Sequence, residues 1–371
     1  MSPAVDHEFM ARALRLARKG LGTTDPNPTV GCVLVRDGEV VGEGRTAPVG
    51  GPHAERTALA AAGDRARGAT AYVTLEPCAH QGRTGPCTVA LIEAGIARVV
   101  GAIGDPNPLV NGAGLLALAE AGVAVEQGLM EQDAREINKG YLARMTRGWP
   151  WVRSKIAASL DGRTALSSGE SKWITEAGAR RDVHGWRARS SAVLTGIGTV
   201  LADDPSLNAR PDDAGRFVQP LRAIVDSGLR TPTNALTLSL PGEVVIFTAA
   251  DPSERFAPLE AAGARIEAIE GRPRCDLDKV LVRLAELEVN DVWVEAGPTL
   301  NGALLERGLI DEFVLYLAPR LLGDDARGMF SLAPLASLAD SVELIIEDVR
   351  RIGPDLRIRA RPVTVLAPSQ A

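Results

Sequence analysis

Apolar residues in this chain switch repeatedly between the two-residue period of a strand and the 3.6-residue period of a helix, and the alternation restarts once, after Arg147-Gly148-Trp149-Pro150-Trp151. That pattern admits few architectures. Residues 6–20 place Phe9, Met10, Ala13, Leu14 and Ala17 on one helical face, and Gly20 stops the helix. "TVGCVLV" reads as a buried strand, and Asp37-Gly38 as a hairpin into a partner strand at Val40-Val41. A helix over Ala54–Ala62, the strand "AYVTL", a helix over Thr88–Ala94, the strand "RVVGAI", a helix over Leu115–Ala121 and the strand "VAVEQ" follow, and an amphipathic stretch from Glu131 to Arg147 leads to the Gly-Pro boundary. Residues 1–147 are therefore expected to form a three-layer α/β/α domain. Residues 148–371 begin again with "WVRSKIAAS", continue through "AVLTGI", "RAIVDS", "EVVIFT", "DVWVEA" and "EFVLYLA", and close with "SVELIIEDVRRIG" and "DLRIRARPV" as antiparallel strands around a Gly-Pro-Asp turn. A second α/β domain is the simplest reading, and 371 residues suffice for two cores. The halves do not resemble each other, there is no repeat of solenoid period, and the short C-terminal tail "LAPSQA" is the one low-complexity tract.

Charge and cysteine content narrow the function. A net charge of −6 argues against nucleic acid, because neutralising a phosphate backbone needs clustered Lys and Arg. Small-molecule partners are expected instead. No apolar run approaches the ~20 residues of a bilayer span, and the N-terminal "MSPAVDHEFMARALRLARKG" carries acids early and has no signal-peptide core, which predicts a cytoplasmic protein. In a reducing compartment the four cysteines do not make a disulfide scaffold, so neighbouring ones bind metal, react, or lie close by chance.

Two of the four stand in "TLEPCAHQGRTGPC", Thr74 to Cys87, and upstream lies "GPHAERTALAAAG". His53 and Glu55 open one helix, Pro77-Cys78 closes a strand, and Cys87 opens the next helix, which puts the three ligand types at one sheet edge. His53, Cys78 and Cys87 would leave one position of a tetrahedral zinc ion open, where a structural site would want four ligands. Water in that position has its pKa lowered toward ~7, and Glu55 beside it would shuttle protons to a departing amine. H-x-E followed by P-C…C is the pattern of zinc deaminases. His80 is a spare: a ligand in another geometry, a substrate contact, or an exposed side chain. Cys32 reads as a core residue, and Cys275 as having no site role.

The combination of "DPNPTVGCVLV", "HAERTAL", "TLEPCAHQGRTGPC" and "GDPNPLVNGAG" resembles the deaminase domain of the bifunctional RibD family of riboflavin biosynthesis. Nucleoside and nucleic-acid deaminases keep two residues between the cysteines, whereas eight stand between Cys78 and Cys87, the riboflavin-type pattern. The resemblance implies a cytidine-deaminase-like fold, zinc on His53, Cys78 and Cys87, Glu55 as proton donor, and Asn27 and His80 near the pyrimidine. It also implies the reaction, hydrolytic loss of the 2-amino group of 2,5-diamino-6-(5-phosphoribosylamino)pyrimidin-4-one.

"GEGRTA" (Gly42 to Ala47) and "GAGLLA" (Gly112 to Ala117) fit G-x-G-x-x-A, but one follows a hairpin and the other a Pro-rich loop without the acidic residue of a dinucleotide site. Both belong to the first half and read as turns. "TGIGTV" (Thr195 to Val200) follows a good strand, and its glycines offer amides to a pyrophosphate. Polar residues cluster after three strands: Asp161, Ser171, Lys172 and Trp173, then Asp203, Asp204 and Arg210, then Glu295 before a Gly-Pro-Thr turn. Solvated loops would look alike, but three loops after strands can gather at one sheet edge.

These stretches are similar to the reductase domain of the same family, whose fold resembles dihydrofolate reductase and which uses NADPH. By that resemblance Ala157, Trp173, Thr199, Asp203, Ser227 and Gly297 contact the dinucleotide, and Ser171, Arg187, Leu207, Arg210 and Glu295 hold the ribose phosphate, with Lys155 beside the reacting carbon. Arg187 and Arg210 suit phosphate through paired hydrogen bonds. Hydride would go to C1′ of the ribose, opening it to a ribityl chain. Where the family has Glu-Gly-Gly, this chain has Glu295-Ala296-Gly297, an alanine tolerated where φ is negative. NADPH is expected to bind with ordinary affinity, and the protein is expected to be a homodimer or tetramer. The competing reading is a nucleoside or RNA deaminase with a non-catalytic second domain; a third makes the metal site structural.

Overall fold

The computed structural model describes residues 3–81, 85–212, 217–251, 254–271 and 273–363. The tail "LAPSQA" lies outside them. The chain divides into two compact units, Met1–Trp149 and Pro150–Ala371.

The first unit runs α1 (Pro3–Arg18), β1 (Gly31–Arg36), β2 (Glu39–Arg45), α2 (Ala54–Ala62), β3 (Thr70–Val73), α3 (Cys87–Glu93), β4 (Arg98–Gly101), α4 (Ala113–Glu120), β5 (Ala124–Gln127) and α5 (Glu131–Arg147). Among the described residues its strands form a five-stranded sheet in the order β2-β1-β3-β4-β5. β1 runs antiparallel to both β2 and β3, and β3, β4 and β5 are parallel. Asp37 and Gly38 take φ of 52° and 82°, the left-handed pair that a two-residue hairpin requires. α1 and α5 cover one face, and α2, followed by α3 and α4, covers the other, so the central strands are apolar on both sides: Cys32, Val33, Leu34 and Val35 are all fully buried.

Three expectations need correction. "GEGRTA" is not a turn: Gly42 to Arg45 belong to β2. Nor is "GAGLLA", in which Gly112 caps α4 and Ala113 to Ala117 form its first turns. A Cβ on Gly42 would stand 2.3 Å from the Ala58 carbonyl oxygen, and one on Gly44 2.1 Å from that of Ala54. These glycines exist so that α2 can lie directly on the strand. Nor does Pro77-Cys78 close a strand. β3 ends at Val73, Pro77 has no N–H to continue a ladder, and the Glu76 side chain is drawn to the start of α4.

The second unit runs β6 (Trp151–Ser159), β7 (Arg163–Ala165), α6 (Ala177–Arg187), β8 (Ala192–Gly196), α7 (Ile197–Asp203), β9 (Leu221–Val225), α8 (Leu236–Ser239), β10 (Val244–Thr248), α9 (Phe256–Ala261), β11 (Ala264–Ala268), α10 (Leu277–Glu286), β12 (Asp291–Val294), α11 (Pro298–Glu306), β13 (Glu312–Ala318), β14 (Arg327–Gly328), β15 (Leu344–Ile352) and β16 (Asp355–Pro362). Its main sheet, nine-stranded among the described residues, has the order β11-β10-β9-β8-β12-β6-β13-β16-β15. From β11 to β13 the strands are parallel, and β16 and β15 add an antiparallel hairpin through Gly353 at φ 63°. Trp186 on α6 stacks on Trp293 of β12 with ring centroids 5.3 Å apart, over Val193, Val314 and Tyr316. No helix among the described residues is long and apolar enough to cross a membrane.

The glycine packing predicts that Gly44→Ala destabilises the first unit by ~1–3 kcal/mol, the usual cost of overpacking, read by urea denaturation. An unchanged midpoint would mean that α2 shifts freely on the sheet.

Candidate active sites

β3 and β4 end at one edge of the first sheet, and there the antiparallel β1 begins and β2 ends, since Gly31 pairs with Arg45 and Cys32 with Val73. Four connections therefore meet: residues 19–30 with Asn27, 46–53 with His53, 74–81 with Cys78 and His80, and 102–112 with Asp105. His53 is the N-cap of α2, extended at φ −70° and ψ 163°, and its ring makes no capping bond. It faces two sulfurs instead: Nδ1 lies 3.5 Å from Cys78 Sγ and 3.3 Å from Cys87 Sγ. The Cys87 N–H donates to Cys78 Sγ at 3.4 Å. The three donor atoms lie within 4.8 Å of one another. An ideal tetrahedral zinc, with Zn–S about 2.3 Å and Zn–N about 2.0–2.1 Å, separates sulfur from nitrogen by about 3.5 Å. The donor set fits that ion, and no fourth donor joins it among the described residues.

Glu55, one turn-position into α2, is 4% exposed. Burial is the main reason its carboxyl is pushed up to about 7, with the neighbouring Cys78 acting in the same direction; a divalent cation alongside pulls it down again. Cys78 is lowered to about 4 by hydrogen bonds from the Cys87 thiol, then His53 and the Cys87 N–H, against the effect of burial, while Cys87 is raised. One thiolate is thus ready beside a His53 whose own pKa is raised by its bond to Cys78.

His80 is half-buried, and its Nδ1 is buried with no protein partner among the described residues. Asp105, buried, has its pKa raised by burial and accepts hydrogen bonds from Tyr141 Oη at 3.0 and 3.2 Å. The loop of Asn27 is gripped by α5: the Asn138 amide meets both the N–H and the C=O of Thr29, at 2.8 and 3.0 Å, and Arg144 donates to the Pro26 carbonyl at 3.0 Å. The sequence reading missed Glu76, Asp105, Asn138 and Tyr141. Asp105 stood inside the quoted "GDPNP" motif, but nothing local marked it as buried. Cys32 is fully buried in the core, as expected.

In the second sheet β8, β12 and β6 are parallel neighbours, so the three polar loops do leave from one edge. Glu295, directly after β12, is the hub. It accepts from Arg187 Nε at 2.5 Å and Nη2 at 2.8 Å and from Trp293 Nε1 at 2.9 Å, and Lys155 Nζ stands 3.9 Å away. Burial alone would raise its pKa, yet Arg187 and Lys155 outweigh that and lower it to about 2. Lys155 is lowered, chiefly by burial. Arg187 also donates from Nη1 to the Asn208 carbonyl at 2.9 Å. All three of its nitrogens are engaged, so Arg187 is not an open phosphate fork: its paired bonds go to Glu295. Arg210 is exposed, with no side-chain partner among the described residues, and its N–H donates to His184 Nδ1 at 3.3 Å. Burial, then Arg187 and Arg210, lower His184 to about 4, so it is neutral and free to accept that bond. Leu207 is 1% exposed and packs under Trp186 and Trp293, leaving only its backbone for a ligand.

Gly198 and Gly297 have no heavy atom within 4 Å of where a Cβ would stand. Both lie at helix starts, α7 and α11, after the adjacent strands β8 and β12, and a Cβ on Gly196 would meet Leu300 Cδ2 of α11 at 3.3 Å. Bare backbone at two neighbouring helix starts fits a dinucleotide pyrophosphate. Ala296 is outside the positive-φ region, so its methyl imposes no backbone strain. Thr199, Asp203 and Ser171 are half-buried, as is Ala157 on β6. Lys172 Nζ pairs with Asp203 Oδ1 at 3.3 Å, and Trp173, 64% exposed, lies under Arg180 at 4.5 Å. Ser227 Oγ accepts from the Cys275 N–H at 2.9 Å, so Cys275 touches a residue of the expected cofactor site. Asp161 makes a turn, accepting from Ser159 Oγ and from the Leu322 and Gly323 N–H groups at 3.0 and 2.8 Å.

Comparison with known proteins finds relatives of both units. Residues 150–358 match the family model described as RibD C-terminal domain, and residues 3–103 match the cytidine and deoxycytidylate deaminase zinc-binding region. The riboflavin biosynthesis protein RibD of Escherichia coli is 49% identical, over 95% of this chain and 98% of its own, and that of Haemophilus influenzae 48% identical, over 96% and 97%. Among solved structures, Acinetobacter baumannii RibD, form 1, superposes with a TM-score of 0.91 at 45% identity, over 97% of this chain and 99% of that one. A deaminase/reductase from Thermotoga maritima superposes with a TM-score of 0.86 at 34% identity, over the same shares.

Removing the hub carboxylate leaves buried Arg187 and half-buried Lys155 uncompensated. Glu295→Ala is expected to cost the second unit ~3–5 kcal/mol, as breaking a buried ion pair does, measured by urea denaturation followed through Trp186 and Trp293 fluorescence. A loss under ~1 kcal/mol, the size of an exposed pair, would show that water compensates the cations.

Proposed function

Because the chain belongs to the RibD family of bifunctional riboflavin-biosynthesis deaminase–reductases, we propose that its first unit deaminates 2,5-diamino-6-(5-phosphoribosylamino)pyrimidin-4-one and its second reduces the ribosyl group of the product to ribityl. The enzyme uses zinc and NADPH. When bound, zinc supplies the Lewis acidity that makes water nucleophilic at neutral pH, and NADPH supplies the hydride. The observation that carries the reading is the His53–Cys78–Cys87 triangle with a buried Glu55 behind it.

In the first unit His53 Nδ1 and the two Sγ atoms would hold the metal. Glu55, buried and not a member of the donor triangle, takes a proton from the attacking water and delivers it to the departing 2-amino group, which leaves as ammonia. His80, with its unpartnered Nδ1, and Asn27, on its gripped loop, are assigned to the pyrimidine.

In the second unit Thr199, Asp203, Gly297, Ala157, Trp173 and Ser227 are assigned to the dinucleotide, where Gly297 and the α7 start present bare backbone. Arg210 and Ser171 take the ribose phosphate, and the neutral His184 turns the Arg210 backbone toward it. Arg187 acts one step back, fixing Glu295 and the Asn208 carbonyl. Lys155 holds a proton at Nζ beside the ribose, where opening of the ring needs one on the departing oxygen.

The nucleoside or RNA deaminase reading is not favoured, because the second half matches a reductase family along its length. A cytoplasmic homo-oligomer is part of the proposal. β15 is an edge strand whose Leu344, Ile345, Ile346 and Val349 are 43%, 58%, 61% and 54% exposed, an apolar edge that isolated chains rarely leave uncovered.

Purified protein given the diaminopyrimidine ribose phosphate should release ammonia and then oxidise NADPH; ammonia without NADPH loss would refute the reductase assignment. Glu55→Gln should keep its zinc and lose ~10²–10⁴-fold in deamination, the range for losing a general acid–base group, while still oxidising NADPH when given the deaminated compound. Normal ammonia release by this variant would end the proton-shuttle assignment. Light scattering should give at least twice the 39.1 kDa of one chain, and a monomer mass would remove the oligomer from the proposal.

A further inference from the structure

Glu76 lies between β3 and Cys78 and is 4% exposed. It has no cationic partner among the described residues. Its carboxylate is instead bound by four backbone N–H groups: Gly114 and Leu115 donate to Oε1 at 2.9 and 3.3 Å, and Asp105 and Gly112 to Oε2 at 3.1 Å each. These donors are the first turn of α4 and the loop that follows β4, an arrangement that binds anions well. It is also the reason for "GAGLLA". Gly112 takes φ 87° to begin α4, and a Cβ on Gly114 would stand 1.9 Å from the Pro77 carbonyl oxygen and 3.1 Å from Glu76 Oε1. The motif resembles a pyrophosphate loop because it is an anion loop, and its anion is a side chain of the same chain.

The consequence falls on Cys78. The Glu76 N–H donates to the Ile103 carbonyl at 2.9 Å, so both backbone and side chain tie residue 76 to the β4 side. On the other side the Cys78 carbonyl accepts from the Thr88 N–H at 3.2 Å and Oγ1 at 3.3 Å, at the start of α3. The segment Glu76-Pro77-Cys78 is thus stretched between two helix starts, and Cys78 Sγ has little freedom to move from His53 and Cys87. We infer that Glu76 is a positioning residue of the metal centre: bound by four amides, it fixes the backbone carrying Cys78 and so keeps the three donor atoms at the separation zinc requires. The same carboxylate holds the Asp105 N–H, so the loop facing His80 is set by the same anchor. The inference rests on the zinc reading of His53, Cys78 and Cys87.

The test uses the full-length protein and Zn(II) alone, with zinc release to a colorimetric chelator as the readout. Glu76→Gln keeps the shape but turns an NH₂ toward two N–H donors, and zinc is expected to leave ~10–100-fold faster, the usual effect of disturbing the groups that orient a ligand. Glu76→Asp, one methylene shorter, should fall between that variant and the native protein. NADPH oxidation with the deaminated substrate reports the second unit and should stay at the native level in both. If Glu76→Gln fails to fold its first unit, Gly114→Ala decides, since it keeps the carboxylate and displaces the Pro77 carbonyl, and it too should speed zinc release. Native release rates in folded Glu76→Gln, or in Gly114→Ala where the former does not fold, would overturn the inference, leaving Glu76 a stabilising residue only. A native protein that takes up no zinc would overturn the metal reading instead.

Discussion

A carboxylate removed from water must recover what its hydration supplied, and half-buried Glu295 and buried Glu76 and Glu55 recover it in three ways. Glu295 has cations, Arg187 and Lys155, and is held ionised far below the usual carboxylate range. Glu76 has neutral dipoles, four N–H groups that also belong to the backbone it must hold. Glu55 is given the least, and its pKa climbs to about 7. The kind of compensation sets the task. A carboxyl near neutrality can exchange protons, an ion-paired one can organise charged neighbours, and an amide-bound one can fix a loop without bringing a second charge near the metal.

Each site also depends on where strands end. In the second unit this follows from parallel pairing alone: β8, β12 and β6 run side by side, so Thr195, Glu295 and the residues after Ser159 leave from one edge. In the first unit the antiparallel β1 achieves the same result by starting where β3 stops, with Gly31 opposite both Arg45 and, through its N–H, the Thr74 hydroxyl. A loop entering a strand and three loops leaving strands therefore meet at the edge that carries His53 and Cys78. Neither site needs a long excursion of the chain.

The period of the apolar residues made most helices and strands legible, down to the Asp37-Gly38 hairpin and the antiparallel pair around Gly353. The metal donors were legible because their chemistry is rare and local: an H-x-E at a helix start and two cysteines eight residues apart. Residues that act through distant partners were not. Asn138 holds Thr29 across 109 positions, and Arg187 meets Glu295 across 108; no local pattern reports such a pairing. Arg187 shows the effect most clearly, since an arginine in a ligand loop invites assignment to phosphate, and only the fold shows its fork already filled by a carboxylate. The end of β3 was misplaced for a similar reason, because what turns the chain away is a carboxylate reaching α4.

The three glycine motifs show what separates an anion loop from a mimic. By sequence "GEG", "GAG" and "TGIG" differ little, and each offers small residues near the start of a helix or the end of a strand. The space a Cβ would occupy at the second glycine of each distinguishes them. At Gly42 and Gly44 it is filled by the backbone of α2, so those glycines serve packing. At Gly114 it is filled by Pro77 and Glu76, so that loop binds an anion from within. At Gly198, and at Gly297 after the neighbouring strand, it is empty. A loop can receive an external phosphate only if the protein has not already placed something against its amides, so bare backbone at two adjacent helix starts is a better mark of a phosphate-receiving loop than the glycine pattern is.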